Sequence, residues 1–530
     1  MINTPLGHRG MVTAPHHMAA EAGRDVLREG GTAVEAMVTA AAVIAVVYPH
    51  MNAIGGDGFW LVGEAGQRPS GIDACGPAAG LASRDWYQAQ GTTTIPARGP
   101  LAALTVPGTV GGWMAALAQP NATSGRMPVA RLMAPAVAMA REGVPTTAGQ
   151  EALTRQKLDG LQDIPGFAET FLADDLSVPQ RGDRLIQRRL GDTLEQLGRA
   201  GLGDFYQGDV AQSLAHDLEA LGSPLRLDDF TGYKAQVVDP LSITSRDTQL
   251  YNMPPPTQGL ASLMILGVFD RLRVPDGEGF AHIHGLIEAT KQAFRVRDAE
   301  VTDPEWMRTQ AVDLLDARHL DSAAAAIDPQ RAAPWPHPAA PGDTVWMGAV
   351  DANGQATSFI QSIYWEFGAG IVLPESGVLM QNRGMSFGLT PDHPQALEPG
   401  RSPFHTLNPA MATFADGRHM LYGTMGGEGQ PQTQAAVFTR HARFGMPLQA
   451  AVTAPRWLLG RTWGDSSTGL KVESRLPDAV IQALTEAGHA VEVVEPFDGM
   501  MGHAGAIVRH PDGLLEGATD PRSDGAVATV

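Results

Sequence analysis

A threonine that opens a strand straight after a polar Pro-Gly-Asp stretch is the feature of this 530-residue chain best suited to chemistry. In Pro341-Gly342-Asp343-Thr344-Val345-Trp346-Met347-Gly348-Ala349-Val350 the Thr begins an alternating, half-apolar run. A second run, Ala356 to Ser362, follows Asp351-Ala352-Asn353-Gly354. Asn-Gly between alternating runs predicts a two-residue hairpin turn, because both turn residues tolerate positive φ. That pairing sets Thr344 opposite position 363, with Ser362 a near neighbour across the ladder. Cutting the Asp343–Thr344 peptide would give Thr344 a free α-amine able to act as base for its own hydroxyl, the threonine form of nucleophilic catalysis. A Thr at a strand start is also simply a good β-former, so the pattern alone leaves both readings open. Tyr422-Gly423-Thr424-Met425-Gly426-Gly427-Glu428-Gly429 reads as a strand, a glycine turn and a helix start. Adjacent N–H groups there, at Gly426 and Gly427, can form an oxyanion hole; a plain tight turn is the alternative.

Other suggestive clusters fare less well. His282-Ile283-His284 lies in a helical stretch, where i and i+2 point apart, so no metal site is expected. Gly55-Gly56-Asp57-Gly58 is followed by no Lys and by strand-like Phe59-Trp60-Leu61-Val62. Close backbone packing is therefore expected there rather than a phosphate loop. No cofactor is expected.

The elements that must position these residues follow from composition and punctuation. With 43% hydrophobic and 18% charged residues, the chain describes one well-buried body, and 61 Gly and 39 Pro mark the many tight turns of a mixed α/β protein. Net charge −19 argues against nucleic acid or an anionic membrane as partner. The longest apolar stretch, Ala33 to Tyr48, carries Glu35 and fits a buried helix rather than a membrane span. Met1 to Arg9 has no apolar signal core, and the single Cys75 excludes an internal disulfide. Together these features predict a cytoplasmic protein.

Along the chain, a strand at Met11-Val12 leads to a helix stopped by Gly30-Gly31. Thr32 with Glu35 forms a capping box for the next helix. Helices are expected over 129–143, 188–201, 259–272 and 280–298, the third entered from the rigid Met253-Pro254-Pro255-Pro256 corner. Ala323 to Gly342, rich in Ala and Pro, reads as an exposed approach to Thr344 suited to cleavage. Strands near Leu470 and Val491 and a polar tail, Gly517 to Gly525, close the chain.

Nearly end to end, the sequence resembles the gamma-glutamyltransferase family of N-terminal-nucleophile hydrolases. The residues that carry the resemblance are Ala33-Val34, Gly55-Gly56-Asp57-Gly58-Phe59, Val106-Pro107-Gly108-Thr109-Val110, the Met253 corner, Asp343-Thr344, Phe367-Gly368-Ala369-Gly370-Ile371, Glu375-Ser376-Gly377, Gly426-Gly427 and Asp520-Pro521-Arg522. The resemblance implies an α/β fold, a four-layer αββα sandwich, made as one precursor that cuts itself between Asp343 and Thr344. Residues 1–343 would form a large subunit and 344–530 a small one, intertwined as one composite domain, a heterodimer that could pair again. It also implies Thr344 as nucleophile, Ser362 as the hydroxyl beside the new α-amine, and Gly426 and Gly427 as the oxyanion pair.

Departures from the family pattern bear on substrate. The transferases' carboxylate-binding Arg is matched with Asp73, their amine-binding acid with Ser386, their paired serines with His405 and Thr406, and a nearby Asn with Tyr364. A zwitterionic glutamyl head loses its charge partners. Arg383 and His405 would instead flank a small anion, with Arg offering a bidentate clamp, and Tyr364, Asn382 and Thr406 would complete the pocket. In this the chain resembles the oxamate amidohydrolase branch, which implies hydrolysis of oxamate to oxalate and ammonia in purine breakdown. Hydrolysis or transfer of a gamma-glutamyl or related acyl group, as in an acylase, or an unprocessed binding protein, are the alternative readings. Arg383 as a structural ion-pair residue and His405 as a satisfied loop histidine are the blander ones.

Overall fold

Period-two alternation along the Thr344 strand decides how the layers stack. In Asp343–Val350 the side chains of Val345, Met347 and Ala349 enter one apolar cluster, whereas Trp346 and Val350 enter another. The second cluster also holds Phe59, Leu61 and Ile360 from the same sheet and Met411, Leu421 and Ile507 from a second sheet, so it is the filling between two sheets. The computed structural model describes residues 3–120, 127–335, 343–460 and 469–530, the Asp343 side chain excepted.

Both large sheets have seven strands, antiparallel throughout. One runs Ala526–Thr529, Met11–Ala14, Asp343–Val350, Gln355–Tyr364, Asp57–Glu64, Ser70–Ala74, Gln236–Val238. The other runs Leu6–Gly7, Leu515–Thr519, Ala504–Arg509, His419–Thr424, Ala410–Phe414, Thr248–Asn252, Leu241–Ser245. Helices His17–Arg28, Ala33–Val47 and Thr109–Leu117 cover the outer face of the first, and Gly259–Arg271, Phe280–Glu300 and Gln430–Phe438 that of the second. The result is the αββα sandwich. Trp346 ties the sheets together: it donates to Ser358 Oγ at 3.0 Å, and its ring occupies the space where a Cβ on Gly423 or Gly505 would sit. A smaller three-stranded sheet holds Leu470–Glu473 and Val491–Val494.

Local expectations mostly stand. Thr32 and Glu35 form both bonds of the capping box, and the helix runs Ala33–Val47. The glycines before Asp57 pack against backbone, since a Cβ on Gly56 would lie 2.1 Å from Ser362 O. The hairpin differs by one residue. Val345 pairs with Gln361, and the loop has four residues, 351–354. Asp351 explains the longer turn: its Oδ1 accepts the Asn353 and Gln355 N–H groups at 2.9 and 3.1 Å, while Gly354 takes φ 86°. At its other end the ladder bulges, with Asp343 opposite Tyr364 and Thr344 facing Ser362 and Ile363.

One expectation is corrected and another falls partly outside the described residues. The closing tail is not a tail: Leu515–Thr519 and Ala526–Thr529 are strands of different sheets. The turn between them is pinned by fully buried Asp520, which pairs with Arg456 and with Arg522, the latter at 3.0 Å. The expected exposed approach, Ala323 to Gly342, begins on the last residues of helix Ala317–Ala325, stays largely exposed to 335, and over 336–342 lies outside the described residues.

Candidate active site

Thr344, Ser362 and Asp57 sit at one end of the gap between the sheets, each on the gap-facing side of its strand by alternation with Trp346, Ile360 and Phe59. Ser362 and Asp57 are direct cross-strand partners. Thr344 is fully buried; its Oγ1 lies 3.4 Å from Ser362 Oγ and 3.4 Å from Gln430 Nε2. Gln430 opens the helix that follows the glycine turn. Gly426 and Gly427 both take positive φ, 119° and 51°, which glycine adopts without Cβ strain. Gln258 braces that turn, donating to Gly427 O at 2.8 Å and to Thr406 O at 2.7 Å. Arg297 in turn holds Gln258 Oε1 at 3.0 Å and Glu428 at 3.2 Å.

Opposite lies a buried cation. Arg383 is 0% exposed, and no carboxylate among the described residues stands within ion-pair distance of it. Its guanidinium stacks 3.8 Å from the centre of the Tyr364 ring, and reaches Phe404 O at 3.5 Å and Thr406 Oγ1 at 3.3 Å. Burial lowers its pKa, a sign that the charge is uncomfortable where it is. Tyr364 holds a strained φ of 81° while its N–H donates to Ser362 Oγ at 2.8 Å, so strain at the strand end places the ring beneath the guanidinium.

Asp57 was not among the residues expected here. Its Oδ1 accepts the N–H groups of Gly76 and Gly108 and Gln381 Nε2 at 3.0–3.1 Å, and its Oδ2 faces His405 Nε2 at 3.0 Å. Burial pushes Asp57 up to about 7 against the pull of those donors and of Arg383. Burial, helped by Arg383, takes His405 well below its usual value, so it enters as a neutral ring and not as a second cation. Asn382 spends its amide on Ala97 O (2.9 Å) and the Trp365 N–H (3.1 Å), holding the loop that carries Arg383. Ser386 donates to Arg383 O, and Asp73 accepts the Cys75 N–H at 2.9 Å. The side chain brought to Asp57 and His405 is therefore Cys75, not Asp73.

Two groups bring metal-ligand atoms within 4.8 Å of each other among the described residues: Asp57, Cys75 and His405, and His284, Glu288 and His489. In the first, burial and the neighbouring carboxylates keep the Cys75 thiol protonated, and the Arg383 cation faces it. In the second, Lys291 holds Glu288 at 2.6 Å and His284 bonds His489 and Asp328 O, each at 2.9 Å. That group rests on the His284/Glu288 spacing of four, which puts both on one helix face as the His282/His284 spacing of two does not. Neither offers a cation an open set of ligands. Gln258, Gln430 and Asp57 were invisible in sequence because their roles depend on which strand ends meet, although the Gly55–Gly58 cluster pointed at the neighbourhood of Asp57.

A buried threonine opening a strand of an αββα sandwich suits the N-terminal-nucleophile class, and comparison agrees on the family: the gamma-glutamyltranspeptidase family profile matches residues 19–530, and the chain belongs to that family and is an enzyme. Among its relatives, the oxamate amidohydrolase proenzyme of Klebsiella pneumoniae is 52% identical over the full length of both chains. A glutathione hydrolase-like proenzyme of Bacillus subtilis is 39% identical, again over both full lengths. The crystal structure of cephalosporin acylase from Bacillus halodurans superposes with TM-score 0.90 at 31% identity, covering 100% of this chain and 97% of that one. Among the described residues no helix is long and apolar enough to cross a membrane.

Proposed function

We propose that this protein is a self-processing amidohydrolase that converts oxamate to oxalate and ammonia through an acyl-enzyme on Thr344. The observation that carries the reading is Arg383: a fully buried guanidinium with no carboxylate partner among the described residues is costly, and a small anionic substrate would supply the missing charge. The 52% identical relative bears the name of that activity and of a proenzyme.

In processing, Thr344 Oγ attacks the Asp343 carbonyl carbon and the peptide nitrogen leaves, giving an ester that water hydrolyses to free the Asp343 carboxylate and the Thr344 α-amine. The amine, with Ser362 Oγ beside it, then takes the Oγ proton. The hydroxyl oxygen attacks the amide carbon of oxamate, and the Gly426 and Gly427 N–H groups receive the oxyanion. Ammonia departs with the proton, and water cleaves the ester. Oxamate and water become oxalate and ammonium, with one proton moved and no redox change.

Intact mass and ammonia release test this together. Active enzyme is expected as two polypeptides of about 36 and about 20 kDa from the 56.0 kDa chain, the smaller beginning at Thr344. Thr344→Ala should remain whole and inactive, and a cleaved Thr344→Ala chain would refute attack by that hydroxyl. A gamma-glutamyl substrate is the second reading, favoured by the 39% identical relative; turnover of a glutamyl anilide at the rate of oxamate would select it. A single uncut, inert band would leave a binding protein.

A further inference from the structure

Two buried polar atoms beside Thr406 have no partner among the described residues: Arg383 Nε, a donor, and His405 Nδ1, an acceptor or a donor according to where the ring proton sits. The guanidinium straddles the histidine, since it bonds Phe404 O and Thr406 Oγ1, the residues on either side. Asp57 decides the tautomer. With three N–H donors on Oδ1, the carboxylate is built as an anion, and its remaining oxygen takes the His405 Nε2–H. A neutral imidazole has one proton, so Nδ1 is left as a bare lone pair. The ring is held by its backbone, with His405 N–H on Pro256 O at 2.8 Å and His405 O accepting the Gln258 N–H at 2.9 Å, and by the Phe59 ring at 4.8 Å.

We propose that His405 Nδ1 is the specificity-determining acceptor that reads the amide N–H of the substrate and repels the carboxylate product, with Asp57 as the positioning residue that fixes its tautomer. The inference rests on the reading of the site given above and adds a role that a second cation at this position would not perform. Arg383 and His405 then make a donor–acceptor pair matched to a molecule with a carboxylate at one end and a primary amide at the other. Replacing –NH2 by –O⁻ sets an anion against a lone pair. Hydrolysis thus turns a well-paired ligand into a badly paired one, and the product is discharged.

Asp57→Asn tests this, because the new amide keeps an oxygen for Gly76, Gly108 and Gln381 while offering an N–H to His405 Nε2. The ring proton is thereby forced onto Nδ1, which becomes a donor. The readout is the oxalate inhibition constant divided by the oxamate KM, measured on fully cut enzyme a pH unit or more above 7. Asp57→Asn should lower that ratio at least tenfold through both a higher KM and tighter oxalate, since sites built to pair a group reject its unpaired analogue by that order. His405→Leu, which supplies neither donor nor acceptor, should fall between. A merely structural histidine would move kcat or yield and leave the ratio alone. Ratios within twofold of wild type in both variants overturn the proposal while the oxamate reading stands. Absence of ammonia release from oxamate by cut wild-type enzyme overturns both.

Discussion

Replacing Arg383 by Met, similar in length and without charge, separates substrate binding from structure. The guanidinium is wholly buried, its two hydrogen bonds are long at 3.3 and 3.5 Å, and burial already works against its charge. Removing such a cation spares the fold its desolvation cost, so the melting temperature should hold or rise. A bound substrate carboxylate, by contrast, would lose a charge-assisted contact of about 1.5–3 kcal/mol. That corresponds to a KM for oxamate raised about 10- to 150-fold, with kcat changed far less because ground and transition states share the contact. The assay is ammonia release under a full oxamate titration, run well above neutrality so that Asp57 stays ionised without its neighbouring cation. Oxamide, which lacks the carboxylate, serves as control and should show no such loss. An unchanged KM together with a lower melting temperature would make Arg383 a structural residue and refute the argument.

Other outcomes follow from the same geometry. The oxamate KM should rise as pH falls through about 7: protonation of Asp57 puts a hydrogen on Oδ2, which then donates to His405 Nε2 and moves the ring proton to Nδ1. The groups facing Asp57 are Arg383, His405, Cys75, Tyr206 and Tyr233, and beyond Cys75 burial pushes Asp73 up to about 7 as well, so the profile should persist in Asp73→Asn; a KM flat across pH 6–8, or a transition that disappears with Asp73, would contradict this. Gly56→Ala would set a Cβ 2.1 Å from Ser362 O and should abolish soluble, cut enzyme on a denaturing gel. Thr32→Ala removes a cap far from Thr344 and should cost about 1 kcal/mol in urea denaturation with kcat/KM unaltered.

Much of this molecule was written locally. Alternation in 344–350, the Thr32 capping box, the Gly30-Gly31 stop and the Met253 corner are set by neighbours in sequence, which is why those elements fall where residue patterns place them. The same locality explains what went astray: nothing in Gly517–Gly525 says that Asp520 is buried against Arg456, 64 residues earlier, and nothing around Asn353 says that Asp351 will claim two turn N–H groups. For the candidate site, the chain by itself pointed to Thr344, Ser362 and the Gly426–Gly427 turn, whose residue types and flanking pattern suit the chemistry proposed for them. Tertiary structure alone decided that Asp57 meets His405 across 348 residues, that burial takes His405 well below its usual value, and that no carboxylate among the described residues comes within ion-pair distance of Arg383. Charge state and proton position are set by desolvation and by which donors converge on a carboxylate, and both quantities exist only once distant strands have closed around it.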